Sequence, residues 1–129
     1  YSDYIVKTRQ ILNSIGQYVY NNLKSNNILI NPPQGAFYLM PEFINTKFKT
    51  SSDLCNSILE DTGVALLPGS GFGFNKQAML TRLSYTDFNG GEFLKNTTNS
   101  KKIENSLIEK YAPNVVEGTS KLSEWSKNL

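Results

Sequence analysis

The stretch from Val64 to Tyr85, VALLPGSGFGFNKQAMLTRLSY, constrains the fold more than any other part of this chain. Its first residues, 64–67, form a short apolar run that predicts a buried strand. The next segment, PGSGFG at 68–73, predicts a turn, because glycine adopts backbone angles that other residues avoid. A second strand is predicted over 79–85. The stretch therefore predicts two strands of one sheet joined by a glycine-rich turn.

Arg82 is the exceptional residue of the second predicted strand, where it shares one face with Leu80 and Ser84. A guanidinium among apolar side chains is costly to desolvate unless it meets an anion. Its planar fork fits a carboxylate or a phosphate through two parallel hydrogen bonds. From the strand alone, an internal salt bridge or an arginine reaching water from a strand edge remain open as alternatives.

Helical periodicity marks several other segments. Apolar residues recur at intervals of three and four over 4–23, which predicts an amphipathic helix. A second helix is predicted over 52–62, capped by Ser51 or Ser52 and ended by Gly63 in the left-handed conformation. Its inward stripe would be formed by Leu54, Cys55, Ile58 and Leu59. Shorter helical patterns follow at 92–95, at 103–111 and at 115–129.

Two further strands are predicted near 28–30 and 36–40, the second ended by Pro41, which cannot donate to a ladder. Together with 64–67 and 80–85 they predict a small, mainly antiparallel sheet covered by helices, which is an α+β fold. The whole chain, 1–129, is expected to be a single domain. Because it opens directly on a helix, we also expect it to be a piece of a longer chain.

Composition excludes several classes of function. The chain has no histidine, which removes histidine-based acid/base catalysis, Ser-His-Asp triads and most zinc sites, so no metal site is expected. The net charge of +2 is too small to argue for nucleic acid or for an acidic membrane surface. The single cysteine, Cys55, fits a reducing compartment and is expected to be a buried, inert thiol in a cytoplasmic protein. No apolar run approaches the roughly 18 residues of a membrane span.

Three blocks together resemble one protein family. ALLPGSGFG at 65–73, followed by RLSY at 82–85, is similar to the C-terminal (small) domain of the class I/II aminotransferases. These are pyridoxal phosphate (PLP) enzymes of fold type I, the aspartate aminotransferase superfamily. PQGAFYLMP at 33–41 resembles the family's P-x-G-A-F-Y-L block, and 52–64 resembles the helix that leads into V-x-x-x-P-G-x-x-F-G. Order and spacing agree across about residues 27 to 90.

The resemblance implies a function for the intact protein, the transfer of an amino group from an amino acid to a 2-oxo acid. It implies that Arg82 binds the substrate α-carboxylate, and that the strand carrying Phe37 and Tyr38 runs near the substrate pocket. For those two aromatic residues core packing is the alternative. The intact enzyme would be a homodimer, and its large domain would complete the site.

The family's cofactor motifs are absent from the chain. The Ser-x-Ser-Lys motif of the Schiff-base lysine belongs to the large domain, and Thr119-Ser120-Lys121 only mimics it. We therefore expect PLP in the full-length enzyme, but no cofactor and no catalytic residue in this chain, which alone should be inactive. Two alternatives remain open: a non-catalytic module that binds a carboxylate or a protein, and the small domain of a PLP lyase or decarboxylase.

Overall fold

The computed structural model describes residues 2–33, 38–85, 87, 90–95 and 103–129. The fold is α+β, as predicted. The helices are α1 Ser2–Leu23, α2 Ser51–Thr62, α3 Gly90–Lys95, α4 Asn105–Tyr111 and α5 Pro113–Ser126. The strands are β1 Ile28–Leu29, β2 Tyr38–Leu39, β3 Glu42–Phe43, β4 Leu67–Pro68 and β5 Thr81–Ser84.

All strand pairs are antiparallel. β1 pairs with β3, and β5 lies between β2 and β4 in a three-stranded sheet. A bridge between Glu42 and Leu80 joins the two sheets. Tyr38 lies opposite Ser84, and the same register continues at this bridge. Residues 38–43 therefore follow β5 in one register. β2 ends before Pro41, as predicted, and the pairing resumes after it in β3.

Pro41 is compatible with this ladder because the ladder uses its carbonyl group. The backbone N–H of Thr81 donates to Pro41 O at 3.0 Å, and the Thr81 hydroxyl donates to the same oxygen at 2.8 Å. Two residues later, Phe43 N–H donates to Met79 O at 2.9 Å. The strand predicted over 36–40 is thus confirmed at 38–39, while residues 36 and 37 lie outside the described part of the chain.

The sheet has two unlike faces, because side chains alternate along each strand. One face is buried and packs against α1, α2 and α5. It is formed by Ile28, Leu39, Phe43, Thr81 and Leu83. We call the opposite side the open sheet face. It carries Leu29, Tyr38, Glu42, Leu67, Leu80, Arg82 and Ser84, all of them half-buried or exposed.

The long helix α1 confirms the prediction for 4–23 and begins two residues earlier than expected. Its buried stripe includes Ile11, Ile15, Val19 and Leu23, and it packs against α5. The shorter predicted helices are also present as α3, α4 and α5, with bounds that differ by a few residues. Among the described residues, no helix is long and apolar enough to cross a membrane.

Helix α2 corrects two details of the prediction for 52–62. The residue that caps it is Thr50, whose hydroxyl accepts from Asp53 N–H at 3.1 Å, rather than Ser51 or Ser52. Leu59 was expected to face inward but is 48% exposed. Gly63 ends the helix with φ 78°, in the left-handed conformation, as predicted. Cys55 is buried, as expected.

The strand predicted over 64–67 is displaced towards its C-terminal end, because β4 comprises Leu67 and Pro68 only. The chain leaves α2 through a local turn in which Val64 N–H donates to the Thr62 hydroxyl at 3.0 Å. Leu66 is buried, whereas Leu67 lies on the open sheet face. The apolar run therefore divides between the core and the surface instead of forming one buried strand.

Candidate functional site

Arg82 lies in β5, the central strand of the three-stranded sheet, and its side chain is half-buried on the open sheet face. It is not a strand-edge arginine. In the described part of the chain its guanidinium has no carboxylate within ion-pair distance, so the internal salt bridge is not observed there. The face that Arg82 shares with Leu80 and Ser84 is the exposed one. Arg82 therefore stays partly hydrated in this chain by itself, and its desolvation is not the costly one expected of a buried guanidinium.

Two aromatic rings contact the guanidinium. Arg82 Cζ lies 5.1 Å from the centre of the Tyr38 ring and 5.6 Å from the centre of the Phe72 ring. Both distances are within the range of cation–π attraction. Unlike a carboxylate, an aromatic ring does not neutralise the guanidinium, so the charge of Arg82 stays available to an anion.

The glycine-rich turn brings Phe72 to this place. Residues Gly69–Phe72 form a 3-10 turn directly after β4, and Gly73 ends it with φ 99°. Gly69 N–H donates to Leu80 O at 2.8 Å, which ties the turn to the residue that precedes β5. The prediction that these glycines redirect the chain is confirmed.

The surroundings of Arg82 on the open sheet face are largely apolar. Tyr38 is 38% exposed, Leu67, directly opposite Arg82 in the ladder, is 51% exposed, and Leu29 is 53% exposed. Glu42 is the carboxylate of this face and lies opposite Leu80 rather than Arg82. A cation surrounded by exposed apolar side chains is a surface suited to a ligand or partner that is apolar with an anionic group.

Three candidate site residues come from the sequence, Arg82, Tyr38 and Phe37, and the structure adds Phe72. Arg82 and Tyr38 are in direct contact. Phe37 lies outside the described residues. Phe72 was not singled out, because a phenylalanine within a turn gives no sign of the side chain that it will meet. The sequence feature that could have identified Phe72 is its place in the block at 68–73 that resembles the family pattern P-G-x-x-F-G.

The residues that mimic a cofactor motif do not fit PLP. Lys121 is exposed on α5 and pairs with Glu117 at 3.0 Å. The Thr119 hydroxyl donates to Val115 O at 2.7 Å within the same helix. An exposed, ion-paired lysine is a poor Schiff-base former. Thr119-Ser120-Lys121 is therefore part of an ordinary helix, and no cofactor chemistry is derived from it.

A cleft of about 380 Å³ lies beside the end of β5 but does not include Arg82. Its polar side chains already have partners: Asn114 donates to Asp87 at 3.2 Å, and Thr62 donates to Ile58 O at 2.6 Å. Burial raises the pKa of the Tyr85 hydroxyl, which lines the same cleft, so this group stays neutral. Over the part of the chain that the structure covers, acidic and thiol side chains form no cluster suited to a metal ion. The Arg82 region is therefore the better candidate.

Comparison with known proteins gives relatives of one kind. The chain is 47% identical over 55 residues to the probable N-acetyl-LL-diaminopimelate aminotransferase of Bacillus subtilis (strain 168), a match that covers 43% of this chain and 14% of that protein. It is 42% identical over 45 residues to the aspartate aminotransferase of Bacillus sp. (strain YM-2), covering 32% of this chain and 12% of that protein. No protein-family model matches the chain.

Solved structures show the same fold. The alanine aminotransferase from Pyrococcus furiosus superposes with a TM-score of 0.62 at 23% identity, over 92% of this chain and 24% of that one. An aminotransferase from Mycobacterium tuberculosis gives a TM-score of 0.55 at 17% identity, over 99% of this chain and 25% of that one. The chain thus spans about a quarter of the length of these structures. In fold and in local sequence, it matches a fragment of the fold-type-I aminotransferase family.

Proposed function

We propose that this chain is the C-terminal small domain of a PLP-dependent aminotransferase. The remainder of that polypeptide supplies a large domain that holds the cofactor, and two copies associate as a homodimer. The proposal is supported by relatives that are all aminotransferases and by solved structures of which the chain spans 24% and 25%. PLP supplies the amino-group chemistry, and this chain supplies part of the substrate site.

Arg82 is the residue through which the chain acts on substrate. The observation that carries this assignment is a half-buried guanidinium on the open sheet face, with aromatic rings against it and no carboxylate partner in the described part of the chain. Amino acids and 2-oxo acids share one group, the α-carboxylate. Arg82 binds that group through two parallel hydrogen bonds and so accepts both substrates of a transamination.

The benefit of this contact is orientation. Two hydrogen bonds to the carboxylate fix the orientation of the substrate and so the position of its α-carbon. This lowers the entropic part of the activation barrier for transamination. The open sheet face becomes covered as the small domain closes on the large one, and the loss of water strengthens the ion pair. Tyr38, whose ring contacts the guanidinium, would form the wall next to the bound carboxylate. A contact of Phe37 with substrate stays a prediction from the sequence.

The test uses the longer reading frame around this chain. The polypeptide that it encodes should contain the lysine motif, should show the absorbance of a protein-bound PLP aldimine, and should transfer amino groups from amino acids to 2-oxo acids. The 129-residue chain alone, mixed with PLP, should show neither. A stable aldimine band on the short chain, lost on mutating one specific lysine, would contradict the proposal that the large domain alone holds PLP.

A non-catalytic module is the competing class of function, and the same experiment separates the two. A reading frame without a lysine motif would leave a free-standing domain that binds carboxylates through Arg82. A full-length protein that binds PLP but releases carbon dioxide, or eliminates a substituent instead of transferring the amino group, would indicate the small domain of a decarboxylase or lyase.

A further inference from the structure

Phe72 lies against the guanidinium of Arg82. It is the last residue of the 3-10 turn, and its ring lies on one side of the guanidinium. The Tyr38 ring belongs to β2, whereas the turn follows β4. Because β5 lies between β2 and β4, the two rings reach Arg82 from the two neighbouring strands.

Backbone contacts fix the turn that carries Phe72. Gly69 N–H donates to Leu80 O at 2.8 Å, and Phe74 N–H donates to Gly69 O at 3.0 Å. A Cβ atom on residue 69 would lie 2.9 Å from the Leu80 carbonyl oxygen, which real Cβ contacts do not permit. Glycine at this position lets the turn approach β5 closely. The backbone of Phe72 is therefore held near the strand that carries Arg82, within reach of its guanidinium.

An unsupported arginine side chain has many rotamers and loses that freedom when it binds an anion. Two aromatic rings within 5.6 Å of Arg82 Cζ restrict these rotamers before the anion arrives. They do so without neutralising the charge, as an ion pair with a protein carboxylate would. The arrangement is thus suited to an arginine that must stay unpaired, and correctly directed, until its ligand is present.

We propose that Phe72 is a positioning residue: with Tyr38 it brackets the guanidinium of Arg82 and holds its N–H donors ready for a carboxylate. The identity of that carboxylate as a substrate group rests on the proposed function. The bracket, meaning the contact of the Tyr38 and Phe72 rings with the Arg82 guanidinium, does not rest on it. The bracket and the proposed function can therefore fail separately.

The test of the bracket uses the 129-residue chain and its arginine Nε–Hε resonances. The sequence has two arginines, Arg82 and the exposed Arg9 of α1, which serves as an internal reference. The ring currents of Tyr38 and Phe72 should separate the Arg82 resonance from that of Arg9. In Phe72→Leu the Arg82 resonance should move towards the Arg9 position, and in Phe72→Tyr it should stay near its original place.

Phe48→Leu is the matched control, because Phe48 is also half-buried but its ring lies against Trp125, with 6.2 Å between ring centres. This variant should leave the Arg82 resonance unchanged. If Phe72→Leu does not fold, Phe72→Trp decides instead, since its larger ring should displace the Arg82 resonance further. An Arg82 resonance that is unaffected by Phe72→Leu, or by Phe72→Trp in its place, overturns the bracket.

The functional readout is the full-length enzyme. Loss of one exposed cation–π contact should raise KM for the amino acid by roughly twofold to fivefold. KM for the corresponding amine without an α-carboxylate should stay constant, and Phe72→Tyr should restore the value for the amino acid. Equal changes for both compounds would overturn the positioning role. If Arg82→Lys itself leaves the amino acid unaffected while the resonance test succeeds, the proposed function fails and the bracket stands.

Discussion

At the scale of single residues, Arg82 shows how far a sequence argument reaches. Its position in a strand was predictable from residue type and spacing, whereas its binding of a carboxylate stays a prediction. Its aromatic neighbours were not predictable, because Phe72 lies ten residues earlier in a turn whose path depends on the Gly69–Leu80 hydrogen bond. The sequence also predicted that Arg82 would be costly to desolvate, whereas its side chain is only half-buried. The alternating pattern identified the residues that share a face with Arg82, but it could not tell which of the two faces the helices cover.

Gly16 is a second position where one side chain decides packing. Within α1, a Cβ atom at this residue would lie 2.7 Å from the Tyr85 hydroxyl oxygen and 2.9 Å from its Cζ atom. Tyr85 is only 1% exposed, so its ring cannot move aside at little cost. The absence of a side chain at Gly16 therefore gives room to a core ring.

We therefore expect Gly16→Ala to destabilise the chain. Alanine in a helix interior is normally better than glycine by about 1 kcal/mol, but overpacking a core typically costs about 1–3 kcal/mol. The net loss in the free energy of unfolding should be up to about 2 kcal/mol, measured by urea denaturation. Gly118→Ala in α5 is the control, because its nearest contact would be an ordinary 3.6 Å to Val64, and it should be neutral or stabilising. A Gly16→Ala variant that is more stable than the original chain would contradict the close approach.

At the scale of elements, the start of α2 shows why boundaries are hard to predict. Thr50, Ser51 and Ser52 are consecutive, and each could cap a helix. Tertiary contacts determine which of the three caps α2. Ser51 is fully buried, with its N–H donating to Lys76 O at 2.8 Å, which leaves Thr50 in the extended capping conformation.

Thr50→Ala should lower the free energy of unfolding by about 1 kcal/mol, within the 0.5–2 kcal/mol range for a lost N-cap. Ser52→Ala changes a neighbouring, exposed hydroxyl in the first turn and should stay within about 0.5 kcal/mol of the original chain. Chemical denaturation of the two variants side by side provides the comparison. Equal losses, or a larger loss for Ser52→Ala, would show that the cap is assigned to the wrong residue.

In the sheet, Pro41 shows which part of strand pairing the sequence does not determine. The antiparallel character of the sheet, its approximate strands and the end of β2 before Pro41 were predictable, but the resumption of pairing in β3 was not. Proline lacks only the N–H, and here the ladder needs its carbonyl oxygen, which accepts two hydrogen bonds from Thr81. Which of its two backbone groups a proline presents to the neighbouring strand depends on the register of pairing, and register is a tertiary property.

At the scale of the whole molecule, the open sheet face is the feature that bears on whether this chain is a domain of a larger protein. Leu29, Tyr38 and Leu67 are each more than a third exposed there. If the remainder of an aminotransferase covers this face, the isolated chain should associate through it. Sedimentation velocity should then show a molecular mass that rises with protein concentration.

Leu67→Lys should reduce this association, because it places a charge beside Arg82 in the middle of the apolar surface. Leu59→Lys is the control, since Leu59 is 48% exposed but belongs to α2 rather than to the open sheet face. Equal effects of the two variants would indicate non-specific hydrophobic association that does not use the open sheet face. A chain that stays monomeric at all concentrations would favour the free-standing module.

The most direct test of the central claim compares an amino acid with the amine that lacks its α-carboxylate, in the full-length enzyme with Arg82 changed. Arg82→Lys keeps the charge but loses the fork, and Arg82→Leu loses both, so leucine should be the more harmful. Breaking one side of a buried charge pair costs about 2–5 kcal/mol, which corresponds to roughly 30-fold to several thousand-fold in kcat/KM for the amino acid. The amine should be little affected, and the thermal stability should be retained. Equal losses for both compounds that follow a drop in melting temperature would contradict the account, because they would show that Arg82 only stabilises the fold.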